Sequence, residues 1–242
     1  MDSVYIGTPV TRDLVTTGYC VTVAQIVATL TRQGINSALN CLGGHDVSQQ
    51  RDVLADAFLK TDFTHLLMID DDMAFEGGTV LRLLAAKKDV VGVPSPLRAY
   101  RLDLLTQMIK SDFAAETAMS LAHSFNMDIS EATTITGGLF RVDTIGFGIM
   151  MISRQCLLVM REKGNLPRYF TKPSPDPVTG FFGRLDLPSG ERVPEDYSFC
   201  MRWREMGGEI HALADVVVGH VGNERHVANF ADVLRLMPQR KD

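Results

Sequence analysis

The chain has few of the residues that would bind it to a nucleic-acid backbone, staple it with disulfides or sink it into a membrane. Lysine and arginine number 24 against 29 acidic residues, a formal charge of −5. A protein that neutralises phosphates along a nucleic acid carries a basic surplus, so that role is excluded. A small anionic ligand is not, because a bound metal supplies charge that residue counts omit. Only four cysteines occur, Cys20, Cys41, Cys156 and Cys200, far apart and without a CxxC pair. They read as buried thiols in a reducing compartment, not as a disulfide framework or a clustered metal site. Met1 and Asp2 lead directly into Val4, Tyr5 and Ile6. No basic leader or membrane-length apolar run is present, and the expected location is the cytoplasm.

With 45% hydrophobic and 22% charged residues in 242, the chain has material for one sizeable core and the composition of a globular protein. Short apolar runs alternate with helical spacing, which predicts an α/β, doubly wound architecture with a mostly parallel sheet. Ser3–Gly7 reads as a strand ending at Thr8-Pro9. Val23, Ile26, Val27 and Leu30 mark a helix closed by Gly34. Asn36–Leu42 is a second strand. Asp46 or Ser48 caps the next helix, whose inward face carries Leu54, Ala57 and Phe58. His65–Ile69 is apolar enough to be covered on both faces. A helix over 78–86 and a strand over 90–93 follow.

The second half is less regular. Residues 99–135 are helical in composition but poorly phased. Strands are expected at Leu139–Val142 and Phe147–Ser153, and another over 210–218. Six of the ten prolines lie between Pro167 and Pro194, which predicts a long functional loop. A helix runs over 195–206, and the last twenty residues read as a tail with one short helix. With no repeat and no linker, 1–242 reads as a single domain.

Asp70, Asp71 and Asp72 directly follow the apolar strand. Three consecutive carboxylates at a buried strand end repel one another, and a cation there offsets the cost. In an extended segment Asp70 and Asp72 point the same way, about 7 Å apart, offering two oxygen ligands on one side. The crevice beyond such strand ends is also where open sheets bind ligands. Later, Pro194-Glu195-Asp196 opens a helix whose core face carries Phe199, Cys200, Trp203 and Met206. At about 100° per residue Asp196 faces inward, where a carboxylate has reason to sit if it serves as a base in a cleft. His220, between Gly219 and Gly222 after an apolar run, is a candidate nitrogen ligand, better suited to Mn²⁺ than to Mg²⁺.

Taken in order, these pieces resemble the GT-A-fold, nucleotide-sugar-dependent glycosyltransferases. The matching residues are Ile6-Gly7-Thr8-Pro9, Ser48 to Arg51, Leu66–Met73, Val91–Arg98, Gly146-Phe147-Gly148, Glu195-Asp196 and Gly219-His220. The resemblance implies a single GT-A-like domain. About 3–98 would be its nucleotide-sugar-binding half, about 136–222 its acceptor and catalytic half, and 223–242 a C-terminal tail. It implies transfer of a sugar from a nucleoside diphosphate sugar to an acceptor hydroxyl, with Mn²⁺ or Mg²⁺ as cofactor. The acceptor is then a carbohydrate, a lipid-linked molecule reached by peripheral docking at a membrane, or a protein. Asp72 and His220 would hold the metal, with Asp70 as a further ligand or as a ribose contact, and Asp71 would be the less constrained middle position. Thr8 and Pro9 would lie beside the nucleoside, and Arg51 and Arg98 would touch the donor. Glu195 and Asp196 would supply the base in an inverting member. Phosphohydrolases of the haloacid dehalogenase type also carry DxD after a strand. They place it near the chain start with Thr or Val after it, whereas Met73 follows here. A sugar nucleotidyltransferase needs a Gly-rich basic loop where Thr8-Pro9-Val10-Thr11 stands. A binding protein of the same fold without turnover is the remaining alternative.

Overall fold

The computed structural model describes residues 1–11, 13–129, 135–172, 174–222 and 224–236. Strand and helix alternate from the start: β1 (Ser3–Pro9), α1 (Thr17–Arg32), β2 (Asn36–Leu42), α2 (Val47–Leu59), β3 (His65–Ile69), β4 (Met73–Ala74), α3 (Thr79–Ala85) and β5 (Val90–Gly92). The middle holds β6 (Pro96–Tyr100), α4 (Leu102–Lys110), α5 (Ala115–Leu121), β7 (His123–Phe125) and β8 (Met127–Asp128). Next come β9 (Leu139–Val142), β10 (Thr144–Ile145), β11 (Ile149–Ser153) and α6 (Arg154–Lys163). Four short strands follow: β12 (Arg168–Tyr169), β13 (Val178–Thr179), β14 (Leu185–Asp186) and β15 (Arg192–Val193). The chain then forms α7 (Glu195–Glu205), β16 (Ile210–Leu213), β17 (Val217–Val221), β18 (Arg225–Asn229) and α8 (Phe230–Leu236).

The central sheet has seven strands in the order β2-β1-β3-β11-β5-β16-β9. Five run one way, while β11 and β9 run antiparallel to their neighbours, so the expected α/β fold with a mostly parallel sheet is present. Period-two alternation divides the buried side chains between the two faces. Tyr5, Leu66 and Met68 join Leu54, Phe58 and Phe199 on one face. Val4, Ile6, Leu67 and Ile69 join Ile26, Leu30 and Val80 on the other. Leu66 to Ile69 have no exposed surface, and each such side chain contributes ~1.5–3 kcal/mol of burial. Asp46 is the cap of α2, accepting from Ser48 N at 3.1 Å.

Four expectations change. Residues 99–135 hold two helices but also short strands, and 130–134 of that stretch lie outside the described residues. The proline-rich segment folds into two small antiparallel pairs, β12–β13 and β14–β15. The strand expected over 210–218 is two strands: Asp215, paired with Arg82, marks a corner where the chain leaves the central sheet. Beyond it β17 joins a second sheet, ordered β18-β17-β4. The expected tail begins with β18, and Phe230 is buried between Phe125 and Phe140, at 5.0 and 5.4 Å between ring centroids. Residues 237–242 lie outside the described residues.

Candidate functional site

The three aspartates do not continue the strand. Met73 N–H donates to Asp70 O at 3.2 Å, so Asp70–Met73 closes as a turn and strand alternation no longer applies. Each carboxylate therefore leaves in its own direction. Asp71 is the most tightly held, contrary to the expectation for a middle position. It is 8% exposed, and its Oδ2 accepts from Thr11 N at 2.5 Å. Its carbonyl accepts from Thr16 N at 2.9 Å. Burial raises its pKa, the Thr11 N–H opposes that, and neighbouring Asp70 adds to the rise.

Asp72 meets the second sheet. β17 pairs antiparallel with β4, setting His220 opposite Met73, and Val221 N–H donates to Asp72 O at 2.9 Å. His220 thus sits inside a strand and not in a loop. Its Nδ1 lies 2.8 Å from Pro96 O, which fixes Nδ1 as the donor and leaves the Nε2 lone pair facing Asp72 Oδ1 at 3.6 Å. Burial lowers the pKa of His220, with the Arg98 charge acting the same way and the Pro96 carbonyl opposing, so the ring is neutral near pH 7. Asp72 Oδ1 is buried without a hydrogen-bond partner, while Oδ2 is ion-paired with Arg98. Two acceptors confronting each other with no proton between them is an arrangement that a cation satisfies. Among the described residues no three His, Cys, Asp or Glu side chains converge on one point. The donor set at Asp72 and His220 therefore fits a metal that takes its remaining ligands from a bound anion and water.

On the other side of the triad lies Arg51, one helical turn into α2. Its side chain is 3% exposed and forks between Asp70 Oδ1 at 2.8 Å and Glu195 Oε1 at 2.5 Å. Burial opposes the guanidinium charge, but Asp70, Glu195 and Asp196 outweigh it and raise the pKa. Arg51 was expected to touch the donor; its two terminal nitrogens are instead engaged with acids. Asp196, in the first turn of α7, is 7% exposed. Oδ1 accepts from Tyr197 N at 2.8 Å and Oδ2 from Asn126 Nδ2 at 3.3 Å. Burial and then Glu195 raise its pKa, with Arg51 opposing. Asn126 reaches it only because residue 146 is glycine: a Cβ there would lie 2.1 Å from Asn126 Nδ2. Nothing in the sequence marked Asn126, which falls in the poorly phased stretch.

A cleft of about 600 Å³ opens beside the triad, walled by Pro9, Val10, Thr11, His45, Gln50 and the three aspartates. Pro9, expected beside the nucleoside, is part of this wall. Thr8 is not, because its side chain is fully buried with its hydroxyl 2.7 Å from Tyr19 Oη. Val10 and Thr11, next along the chain, form that wall instead.

Asp52, the residue after Arg51, faces the proline-rich segment. It is 1% exposed, accepts from Tyr169 Oη at 2.7 Å and from Phe182 N at 2.9 Å, and so ties that segment to α2. Phe182 in turn stacks on Phe199 of α7, at 4.9 Å. Burial pushes the Asp52 pKa from 3.8 up to about 7, against the hydrogen bonds from Tyr169 and Phe182. The folded pKa exceeds the unfolded one, so the native state keeps this proton after the unfolded chain has lost it. Stability should then fall as pH rises from about 4 to about 7. Asp52→Asn keeps an acceptor for Phe182 and can donate to Tyr169 without a charge. Urea midpoints across that window should decline less in the variant than in the wild type; parallel profiles would show that Asp52 does not titrate there.

No protein-family model matches the chain, and no curated protein matches it. Solved structures do match. A197 from STIV superposes with a TM-score of 0.50 at 17% identity, over 96% of this chain and 92% of that one. A mutant Drosophila beta-1,4-galactosyltransferase 7, in a complex with manganese, UDP-Gal and xylobiose, gives 0.45 at 12% identity over 100% and 76%. A glycosyltransferase involved in the glycosylation of the major capsid of PBCV-1 gives 0.35 at 9% identity over 71% of each chain. Glycosyltransferases thus stand among the structures this chain resembles. The likeness to A197 is one of fold alone, and the two weaker ones say nothing about chemistry.

Proposed function

We propose that the chain is a metal-dependent glycosyltransferase that moves a sugar from a nucleoside diphosphate sugar to an acceptor hydroxyl. The observation that carries this reading is the fork of Arg51, which joins Asp70 of the triad to Glu195 of a helix 144 positions away. Two acid groups with different tasks are brought to one place by it. On one side Asp72 and His220 present an oxygen and a neutral imidazole beside the cleft, a set suited to Mn²⁺ or Mg²⁺. Bound there, the metal would stabilise negative charge on a leaving diphosphate. On the other side Asp196 is a buried carboxylate of raised pKa, suited to accepting a proton from an attacking hydroxyl. Pro9, Val10 and Thr11, which wall the cleft, would hold the nucleoside. The segment tied down by Asp52 packs through Phe182 against the helix that carries the acids, which suits it to hold an acceptor and exclude water.

The test is incubation with Mn²⁺ and a panel of nucleotide sugars, following release of nucleoside diphosphate. Slow release without acceptor, abolished by chelator, is expected. No release from any donor, with no metal-dependent rise in melting temperature, would defeat the reading. His220→Ala should weaken Mn²⁺ affinity by at least ~10-fold, since outer-shell changes already cost that much at metal sites. Calorimetry reads this directly, and equal affinity would remove His220 from the ligand set.

A further inference from the structure

We propose that Arg98 is a built-in counter-ion that shares the Asp72 carboxylate with the cation's position and gives way when a divalent metal binds. Its guanidinium is thereby released at the edge of the donor cleft. This rests on the metal-dependent reading above and adds a competitor that the reading does not contain.

Among the described residues, two guanidinium groups with opposite characters pair with the acid cluster of Asp70, Asp71, Asp72, Glu195 and Asp196. Arg51 is 3% exposed and locked between two acids. Arg98 is 43% exposed, stands on an edge strand whose outer residues face solvent, and among the described residues pairs with Asp72 alone. One is a buried strut and the other is a half-exposed partner. The pose of Arg98 is nonetheless built. Its stem crosses Gly222, where a Cβ would lie 3.0 Å from Arg98 Cδ, so the glycine lets the arginine stem pass close to the backbone on its way to Asp72. The other end of the site is anchored by a different contact: His220 donates from Nδ1 to Pro96 O at 2.8 Å.

A guanidinium and a divalent ion on the same carboxylate repel at contact distance, in a partly buried place where screening is weak. Asp72 Oδ1, without a partner of its own, and His220 Nε2 remain open to the metal while Oδ2 is held by Arg98. A metal at Oδ1 and Nε2 therefore weakens the Arg98 pair at Oδ2 by that repulsion, and apparent metal affinity is lowered in return. A displaced guanidinium is a planar, permanently charged fork that matches two oxygens of a diphosphate. Metal and nucleoside diphosphate are therefore coupled through this side chain, each strengthening the other's binding.

The experiment is calorimetric titration of Mn²⁺ alone into the wild type, Arg98→Met, Arg98→Gln and Arg98→Lys, with folding followed by circular dichroism. Methionine keeps an unbranched stem over Gly222 and removes the charge. Removing the competitor should tighten Mn²⁺ binding by ~10-fold in Arg98→Met and Arg98→Gln, while Arg98→Lys stays near the wild type. Melting temperature should rise more on adding Mn²⁺ to Arg98→Met than to the wild type. Unchanged or weaker Mn²⁺ binding in both neutral variants, with the wild type binding measurably, overturns the counter-ion role and leaves the metal site standing. Absence of Mn²⁺ binding in every protein overturns the metal-dependent reading and this proposal with it.

Discussion

Asp196→Asn is expected to lower sugar transfer by ~10²–10⁴-fold, the usual contribution of a positioned base, while leaving Mn²⁺ and donor binding close to the wild type. The substitution is nearly isosteric, and the site can absorb it. The amide oxygen of the variant would still accept from Tyr197 N–H, which lies 2.8 Å from Asp196 Oδ1 in the wild type. The new amide nitrogen would face Asn126, whose own amide can turn to offer oxygen in place of Nδ2. The fold therefore survives and the proton acceptor is lost. The pH profile adds a second readout. Burial and the neighbouring Glu195 hold the Asp196 pKa above the ordinary carboxylate value. A base works only when deprotonated, so kcat/KM of the wild type should fall on the acid side with a midpoint above the usual carboxylate range. That limb should vanish from the residual activity of the variant. Full activity in Asp196→Asn would dismiss it as the base and leave Glu195 as the alternative, although Arg51 already holds one of its oxygens.

Much of the scaffold was legible because it follows from local rules. The limits of β2 and β3 coincide with the expected Asn36–Leu42 and His65–Ile69, since an apolar run between turn residues has few other ways to be buried. Asp196 could be placed on the inward face of its helix by counting residues, and it is buried there. What could not be read depends on contacts across the chain. A common direction for Asp70 and Asp72 requires extended backbone, and the turn at Met73 removes that condition. Thr8 matched a motif yet turned into the core toward Tyr19, a partner eleven positions away that no spacing rule selects. Asn126 and the strands around it have little local signal, because two- and three-residue strands are stabilised by pairing and not by their own pattern. The functional meaning of Arg51 was hidden for the same reason. The family resemblance suggested a donor contact, while its two acid partners are set by how α2, the triad and α7 pack.

Those partners make Arg51→Met the variant with the largest expected cost to the fold. Methionine roughly fills the space of the side chain but leaves Asp70 and Glu195 without a counter-charge, beside Asp71 and Asp196. Breaking a buried ion pair from one side costs ~3–5 kcal/mol, and since Asp70 retains 28% exposure the lower end applies, about 3 kcal/mol. The measurement is the urea midpoint at neutral pH. Arg51→Lys should recover only part of the loss, because an ammonium cannot span both acids with a fixed fork. A packing defect alone would give similar losses in Arg51→Met whatever occupies position 195. An electrostatic origin predicts instead that Arg51→Met combined with Glu195→Gln is more stable than Arg51→Met by itself, since the second change removes a charge left unpaired by the first. Activity should respond too. Arg51 opposes the upward shift of the Asp196 pKa, so its loss lets that pKa rise further, and the acid limb of kcat/KM should move to higher pH. A midpoint and an acid limb both unchanged in Arg51→Met would mean that the two acid groups are held together by something other than this fork.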